Sequence, residues 1–310
     1  MRVLITGGAG FVGSHLAGSL LTAGHDVSVV DDLSTGSTDN LPTGVEFFCK
    51  DIRTPLDAIF ASVRPEVVYH LAAQVSVPNS MDEPGFDLSV NASGTINVLR
   101  AAAGADARKL ISVSSAAVYG EPVALPITEE HPTAPLSPYG LSKLTGEAYV
   151  RLLAPGAGLE YTIIRPANIY GPRQKTEGEG AVVPAFLGRF LSGADPVIHG
   201  DGSQTRDFIY VSDMVSALMA AMNRANGMTL NVSTGSAVTV RELWQQTADL
   251  LGWRRPPRHG PVRAGDIPHS VMANDAARRH LQWAPAMTLR AGLAQTLAWS
   301  QELRAAAGQQ

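Results

Sequence analysis

The chain has 310 residues, 45% of them hydrophobic, with 24 Lys and Arg against 28 Asp and Glu and a formal net charge of −4. That length and apolar content admit one large α/β unit or a main domain with a smaller partner, and exclude wholesale disorder. The charge balance offers no basic footprint for nucleic acid and no polybasic patch for a membrane surface, and the single cysteine, Cys49, excludes an internal disulfide framework and suits a reducing compartment.

The N-terminal run Met1-Arg2-Val3-Leu4-Ile5-Thr6 meets glycines at once and is too short for a signal-peptide core. No apolar stretch approaches the length of a bilayer span, so a cytoplasmic protein is expected. Short β-branched runs then alternate with helical patterns, which predicts βαβ units and a parallel sheet. Strands are expected over residues 2–6, 26–30, 45–49, 67–71, 109–114 and 161–165, and helices over 11–23, 89–103 and 137–153. Cys49 ends the run Val45-Glu46-Phe47-Phe48-Cys49 and reads as a small hydrophobe on a strand. Beyond Pro166 the alternation breaks down into glycine- and proline-punctuated segments. The fold expected is a Rossmann-type doubly wound parallel sheet over residues 1–166 with a smaller mixed α/β substrate-binding domain over 167–310. A strand near 229–232 is expected to return to the main sheet.

Between the first strand and the first helix lies Thr6-Gly7-Gly8-Ala9-Gly10-Phe11-Val12-Gly13. Glycines there permit a tight turn, bring the backbone N–H groups up to about Val12 close to a pyrophosphate at the helix N-terminus, and allow close helix–sheet packing at Gly13. The spacing is Gly-x-x-Gly-x-x-Gly, and a purely structural turn is the alternative. Asp31 follows the second strand, where a carboxylate accepts from ribose hydroxyls and repels a 2′-phosphate, so NAD is favoured over NADP. Asp32 suits a cap or turn nearly as well. Asp51 and Ile52, past the third strand, flank an adenine in one reading and a solvated turn in the other.

Tyr139 and Lys143 stand at i and i+4 on one helix face; the spacing alone is common and a chance surface pair is its default reading, but here it follows the fifth strand of a sheet that opens with a dinucleotide turn. A free tyrosine, with a pKa of about 10, is a poor base at neutral pH. An ammonium roughly 4 Å away, at an effective dielectric of about 20, favours the phenolate by about 4 kcal/mol, or about three pKa units. Tyr139 then titrates where a general base should. Ser115, at the carboxyl end of the fifth strand, is placed to share a substrate hydroxyl with Tyr139, a role that rests on the combination, since a loop serine by itself reads as structural.

With these residues in view, the sequence closely resembles the extended short-chain dehydrogenase/reductases, in particular their UDP-glucose 4-epimerase group. The resemblance covers nearly the whole chain: the glycine turn, Asp31-Asp32-Leu33-Ser34-Thr35-Gly36, His70-Leu71-Ala72-Ala73-Gln74, Asn91-Ala92-Ser93-Gly94-Thr95, the Ser115/Tyr139/Lys143 set, Arg165-Pro166-Ala167-Asn168-Ile169-Tyr170-Gly171-Pro172-Arg173-Gln174, Thr205-Arg206-Asp207-Phe208 and Arg263-Ala264-Gly265-Asp266. It implies a tightly held NAD, with Ser34, Gly36, Leu71, Ala72, Ala73 and Asn91 joining the turn, Asp31 and the Tyr139/Lys143 pair around it. It further implies a UDP-sugar whose diphosphate is held by Asn168, Arg206 and Arg263 and whose ribose is held by Asp266. Homodimers are common in the group. His70 reads as a structural strand-end residue, and no histidine has metal-ligand spacing.

Ala116 and Ala117 stand where related 4,6-dehydratases carry an Asp-Glu pair, and Ala117 where UDP-glucuronate decarboxylases carry a glutamate. Elimination needs an acid and a base beyond Tyr139, so epimerisation at C4 through a 4-keto sugar is favoured. Ser270, at a position near the sugar in the group, leaves room for an N-acetyl substituent. A uronate substrate would need a carboxylate partner such as Ser114 or an arginine. A 4-ketoreductase using exchangeable NAD(P)H and a non-enzymatic NAD-binding protein are the remaining alternatives.

Overall fold

The first strand, β1 (Arg2–Thr6), is apolar on both faces, with Val3, Leu4 and Ile5 fully buried, so it can only lie in the middle of a sheet covered on both sides. In the computed structural model, which describes residues 1–176, 181–262 and 267–307, it does so. The other strands are β2 (Asp26–Asp31), β3 (Glu46–Cys49), β4 (Val67–His70), β5 (Lys109–Val113), β6 (Glu160–Pro166) and β7 (Met228–Val232). Their spatial order is β7-β6-β5-β4-β1-β2-β3, every pair is parallel, and Ile5 stands opposite both Val29 and Tyr69. The strand expected near 229–232 is thus the far edge of the main sheet.

Alternate side chains of β1 feed two cores. Leu4, Val30, Val68, Leu110 and Ile163 pack with Phe60, Val98 and Val150 on one face. Val3, Ile5, Val29 and Tyr69 pack on the other face with Leu16 of the first helix, α1 (Phe11–Thr22), and this core runs on through Met214 and Leu218 to Phe186, Trp244 and Leu293. Residues after 166 therefore share a core with the sheet. They also form three two-stranded pairs, among them Asn168–Tyr170 beside Phe208–Tyr210 and Thr205–Arg206 beside Val238–Thr239. The helix Val240–Leu251 opens on a reciprocal cap between Thr239 and Glu242.

Two expectations need correction. Cys49 is on a strand but exposed, because β3 is the sheet's edge. The continuous helix expected over 89–103 is a chain of pieces: Pro84–Leu88, a wide π turn at Ser89–Ser93, and Gly94–Gly104. Asn91, at the centre of the wide turn, directs its side chain sideways into neighbouring segments instead of following a regular helical face.

Candidate active site

Because all seven strands are parallel, their carboxyl ends open onto one edge, where the structure has a cavity of about 650 Å³. It is lined by Gly7, Gly10, Phe11, Val12 and Gly13 from the β1–α1 turn, Asp31 at the end of β2 with Asp32 and Ser34 after it, Asp51 and Ile52 after β3, Leu71, Ala72 and Ala73 after β4, and Ser115, Tyr139, Lys143 and Asn168 beyond. Residues far apart in sequence are thereby gathered round one volume.

The turn requires its glycines. Gly7 has φ +73°, and a Cβ there would meet Ala72 N at 2.5 Å. A Cβ on Gly13 would run into the Gly7 carbonyl. Gly10 caps α1 without a side-chain hydrogen bond, and the first turn carries no acidic residue. Its N–H groups keep their positive field for an incoming anion. Asp31 is buried, and its two oxygens accept from Ala9 N at 3.0 Å and Leu33 N at 2.8 Å. Burial raises its pKa above the usual carboxylate value, against these two amide bonds. The acid thus braces the glycine turn while facing the cavity.

Asp32 accepts from Ser34 N at 2.9 Å and from Ser34 Oγ at 2.6 Å, closing a local turn at the cavity's edge. Gly36 does not line the cavity; a Cβ there would press on Ala9 at 3.0 Å. Asp51 is engaged by Arg53, with Arg53 Nε at 2.9 Å from Oδ2, and that guanidinium lies 4.9 Å over the Phe86 ring. Asn91 is 1% exposed and does not line the cavity either. It accepts from Gln74 N at 2.9 Å and reaches the Gln74 carbonyl at 3.0 Å and Ser142 Oγ at 3.1 Å, tying the segment after β4 to the helix that carries Tyr139.

That helix, Pro138–Leu153, starts where Ser137 Oγ accepts from Gly140 N at 3.1 Å, with proline in its first turn. Tyr139 and Lys143 are both buried, and Lys143 Nζ donates to the Val113 carbonyl at 2.7 Å, fixing the ammonium at the end of β5. Ser115 Oγ accepts from Ala117 N at 3.0 Å, so the serine is held by the turn that follows it. His70 is fully spoken for. Thr95 Oγ1 spends its proton on the Asn91 carbonyl, at 2.6 Å, so the 2.9 Å contact makes His70 Nε2 the donor to Thr95, and Nδ1, 2.8 Å from Thr6 Oγ1, the acceptor. Burial, helped by the Lys143 charge, pushes its pKa down to about 3. It is a neutral structural residue.

Ser114 also reaches the cavity, but its hydroxyl donates to Glu147 Oε1 at 2.6 Å. It therefore has no proton for a substrate carboxylate, which corrects its expected use as a uronate partner. Arg206 lies on the Thr205–Arg206 strand with Nη1 donating to the Thr205 carbonyl at 2.8 Å, and it does not line the cavity. Arg263 and Asp266 fall outside the described residues. Lining residues to which the sequence pattern assigns no role include Asn40, Lys50, Phe86 and Arg173; Arg173 belongs to a motif in which Asn168 alone is assigned one. No group of three His, Cys, Asp or Glu that could hold a metal occurs among the described residues.

The family model for the NAD-dependent epimerase/dehydratase family matches residues 3–233. A UDP-glucose 4-epimerase from Mycolicibacterium smegmatis is 42% identical over 305 residues, covering 96% of this chain and 97% of its own. The crystal structure of a UDP-glucose 4-epimerase with UDP-glucose from Thermotoga maritima superposes with a TM-score of 0.95 at 38% identity, covering 98% of this chain and 100% of the other. A UDP-N-acetylglucosamine 4-epimerase from Methanobrevibacter ruminantium, in complex with UDP-N-acetylmuramic acid, gives a TM-score of 0.93 at 31% identity, with 97% and 98% covered.

Proposed function

The chain belongs to the NAD-dependent epimerase/dehydratase family, and we propose that it inverts C4 of a UDP-sugar of the glucose/galactose type through a transient 4-keto sugar. The observation that carries this is the meeting of Tyr139, Lys143 and Ser115 with the glycine turn and Asp31 around one cavity, where Ala116 supplies no further acid or base. The residues fit NAD: the turn has room that a Cβ at Gly7 or Gly13 would fill, and a helix start with no side-chain cap faces it. Gly7, Gly10, Phe11, Val12 and Gly13 would hold the diphosphate, Asp31 the adenosine ribose, and Leu71, Ala72 and Ala73 the opposite wall, with Lys143 near the ring. Bound there, NAD supplies a hydride acceptor and donor.

This chain's own residues manage protons and orientation. Lys143, pinned to the Val113 carbonyl, favours the Tyr139 phenolate electrostatically. Tyr139 takes the proton of the sugar 4-hydroxyl as C4 is oxidised. Ser115 orients that oxygen. After the keto sugar turns over in the cavity, Tyr139 returns the proton while C4 is reduced from the other face. Asn168 lines the same volume and is proposed, with Arg206 and the Arg263 and Asp266 segment, to hold the UDP moiety. Arg206 would have to reach it through side-chain movement.

The N-acetylated sugar is the second reading, favoured by the likeness to the Methanobrevibacter enzyme and by the small Ser270. A uronate is disfavoured by the orientation of Ser114. The test is incubation with UDP-glucose, UDP-GlcNAc and UDP-glucuronate without added cofactor, with products assigned by NMR. C4-inverted sugar supports the reading; loss of water or carbon dioxide, or a strict need for NADPH, overturns it.

We also propose a homodimer in a reducing cytoplasm. Leu141, Tyr149 and Leu152 expose an apolar stripe on the Tyr139 helix, with Leu88 exposed on the short helix packed against it. Among the described residues no helix is long and apolar enough to cross a membrane. Light scattering should give twice the chain mass, and a monomer would contradict the proposal.

A further inference from the structure

The residues that follow the Asn168–Tyr170 strand form a strap, Gly171-Pro172-Arg173-Gln174, laid across the early turns of α1. His15 Nε2 meets the Pro172 carbonyl at 3.0 Å, and Arg173 Nη1 donates to Ser14 Oγ at 3.1 Å. Ser14 spends its own proton on the Phe11 carbonyl, at 3.1 Å, so it can only accept from the guanidinium.

Arg173 is unusual in three ways. Its backbone sits at φ +71°, the left-handed region that glycine and asparagine enter easily and arginine does not. No carboxylate pairs with it among the described residues, although it is half-buried and burial draws its pKa below the usual arginine value. It lines the same cavity as Gly10, Phe11 and Val12, whose helix start already favours an anion. The next residue adds an independent sign that this wall is built for a ligand. Gln174 also lines the cavity, and its Oε1 is buried without a partner, while its Nε2 donates to the Ile169 carbonyl at 2.9 Å. A desolvated cation and an orphaned acceptor on one strained strap need a ligand that brings both negative charge and hydroxyl donors.

Resting on the reading of this cavity as the dinucleotide site, we propose that Arg173 binds the diphosphate of NAD as a clasp, so that docking of the strap on α1 and retention of the cofactor are one event. A guanidinium fork suits phosphate oxygens and completes the charge that the turn's N–H groups begin. Gln174 then offers its free carbonyl oxygen to a ribose hydroxyl. The clasp ties residues that follow β6 to the opposite half of the sheet, and so couples cofactor binding to the wall that carries Asn168.

The test uses nucleotide-free full-length protein and calorimetric titration with ADP-ribose, in the wild type, Arg173→Asn and Arg173→Lys. Arg173→Asn should bind ADP-ribose about 10- to 100-fold more weakly, the loss of one charge-assisted contact, with a shallower salt dependence. Its melting temperature without nucleotide should equal or exceed that of the wild type, because asparagine relieves the left-handed residue. Arg173→Lys should fall between the two in affinity. Unchanged affinity in Arg173→Asn overturns the clasp. So does weakened affinity accompanied by a lower nucleotide-free melting temperature, which would make the arginine merely structural. A wild-type chain that takes up neither NAD nor ADP-ribose overturns the cofactor reading itself, and the clasp with it.

Discussion

Replacing Glu147 should damage this protein more than any exposed acid, and the structure says by how much. Its side chain is 2% exposed and that of Arg165 5% exposed, with the closest oxygen and nitrogen 2.6 Å apart. Oε1 accepts from Arg165 Nε at 2.8 Å and from Ser114 at 2.6 Å, and Oε2 also accepts from Arg151 at 2.9 Å. The Arg165 guanidinium meanwhile lies 4.8 Å over the Tyr119 ring, which leaves it no solvent to turn to. Truncating one member of a buried pair costs about 3–5 kcal/mol, and a stranded serine hydroxyl adds about 1 kcal/mol. Glu147→Ala should therefore lose roughly 4–6 kcal/mol in urea unfolding at neutral pH. The double variant Glu147→Leu/Arg165→Met should recover to within about 2 kcal/mol of the wild type, since well-packed apolar pairs replace buried ion pairs at little cost. The same carboxylate predicts an acid response. Burial opposes its charge, but the hydrogen bonds and charge of Arg165, with Ser114 and Arg151, outweigh burial and hold the pKa below the usual value. Its contribution is present above the unfolded carboxyl range and fades as pH falls through the folded pKa. A single variant that loses less than about 1 kcal/mol, or a double variant that loses the sum of both singles, would refute the reasoning.

Other residues give sharper local outcomes. Gly13→Ala would drive a Cβ into the Gly7 carbonyl and to 2.7 Å from Gly8 Cα, so it should lower the melting temperature and abolish NAD copurification; wild-type values for both would contradict the turn's geometry. His70, whose pKa lies near 3 when folded against an ordinary histidine value of 6.5, binds its proton mainly when unfolded, so stability is complete above pH 6.5 and falls as pH drops. Between pH 6.5 and 5 the loss should be about 2 kcal/mol, and His70→Gln should flatten that slope; parallel slopes would remove His70 as its source. Asp31→Ala strands the Ala9 and Leu33 N–H groups as well as removing the proposed ribose acceptor. NAD affinity should fall at least about 10-fold by fluorescence titration, on the scale of a lost charged hydrogen bond, and unchanged affinity would reassign the residue.

Much of this was legible in the chain because it is encoded locally. The run Arg2–Thr6, the glycines after it and the i, i+4 pair Tyr139/Lys143 sit within single elements, and parallel topology then brings their ends together. The short helix Asp57–Val63 escaped because seven residues are too few for a clear helical period. The wide turn at Ser89–Ser93 escaped because Asn91 is held by Gln74 and Ser142, partners 17 and 51 residues away. Ser114 was legible as a serine at a strand end, but its direction is set by Glu147, 33 residues on. Arg173 was visible within its motif without a role, since only the folded chain sets it on α1.

The proposed reaction turns on hydride leaving and returning to the same carbon while Tyr139 moves only the hydroxyl proton. UDP-glucose deuterated at C4, incubated in ordinary water with no cofactor beyond that carried by the purified protein, should give UDP-galactose with deuterium kept at C4, and Tyr139→Phe should give none. Product carrying protium at C4, or undiminished turnover by Tyr139→Phe, would contradict it.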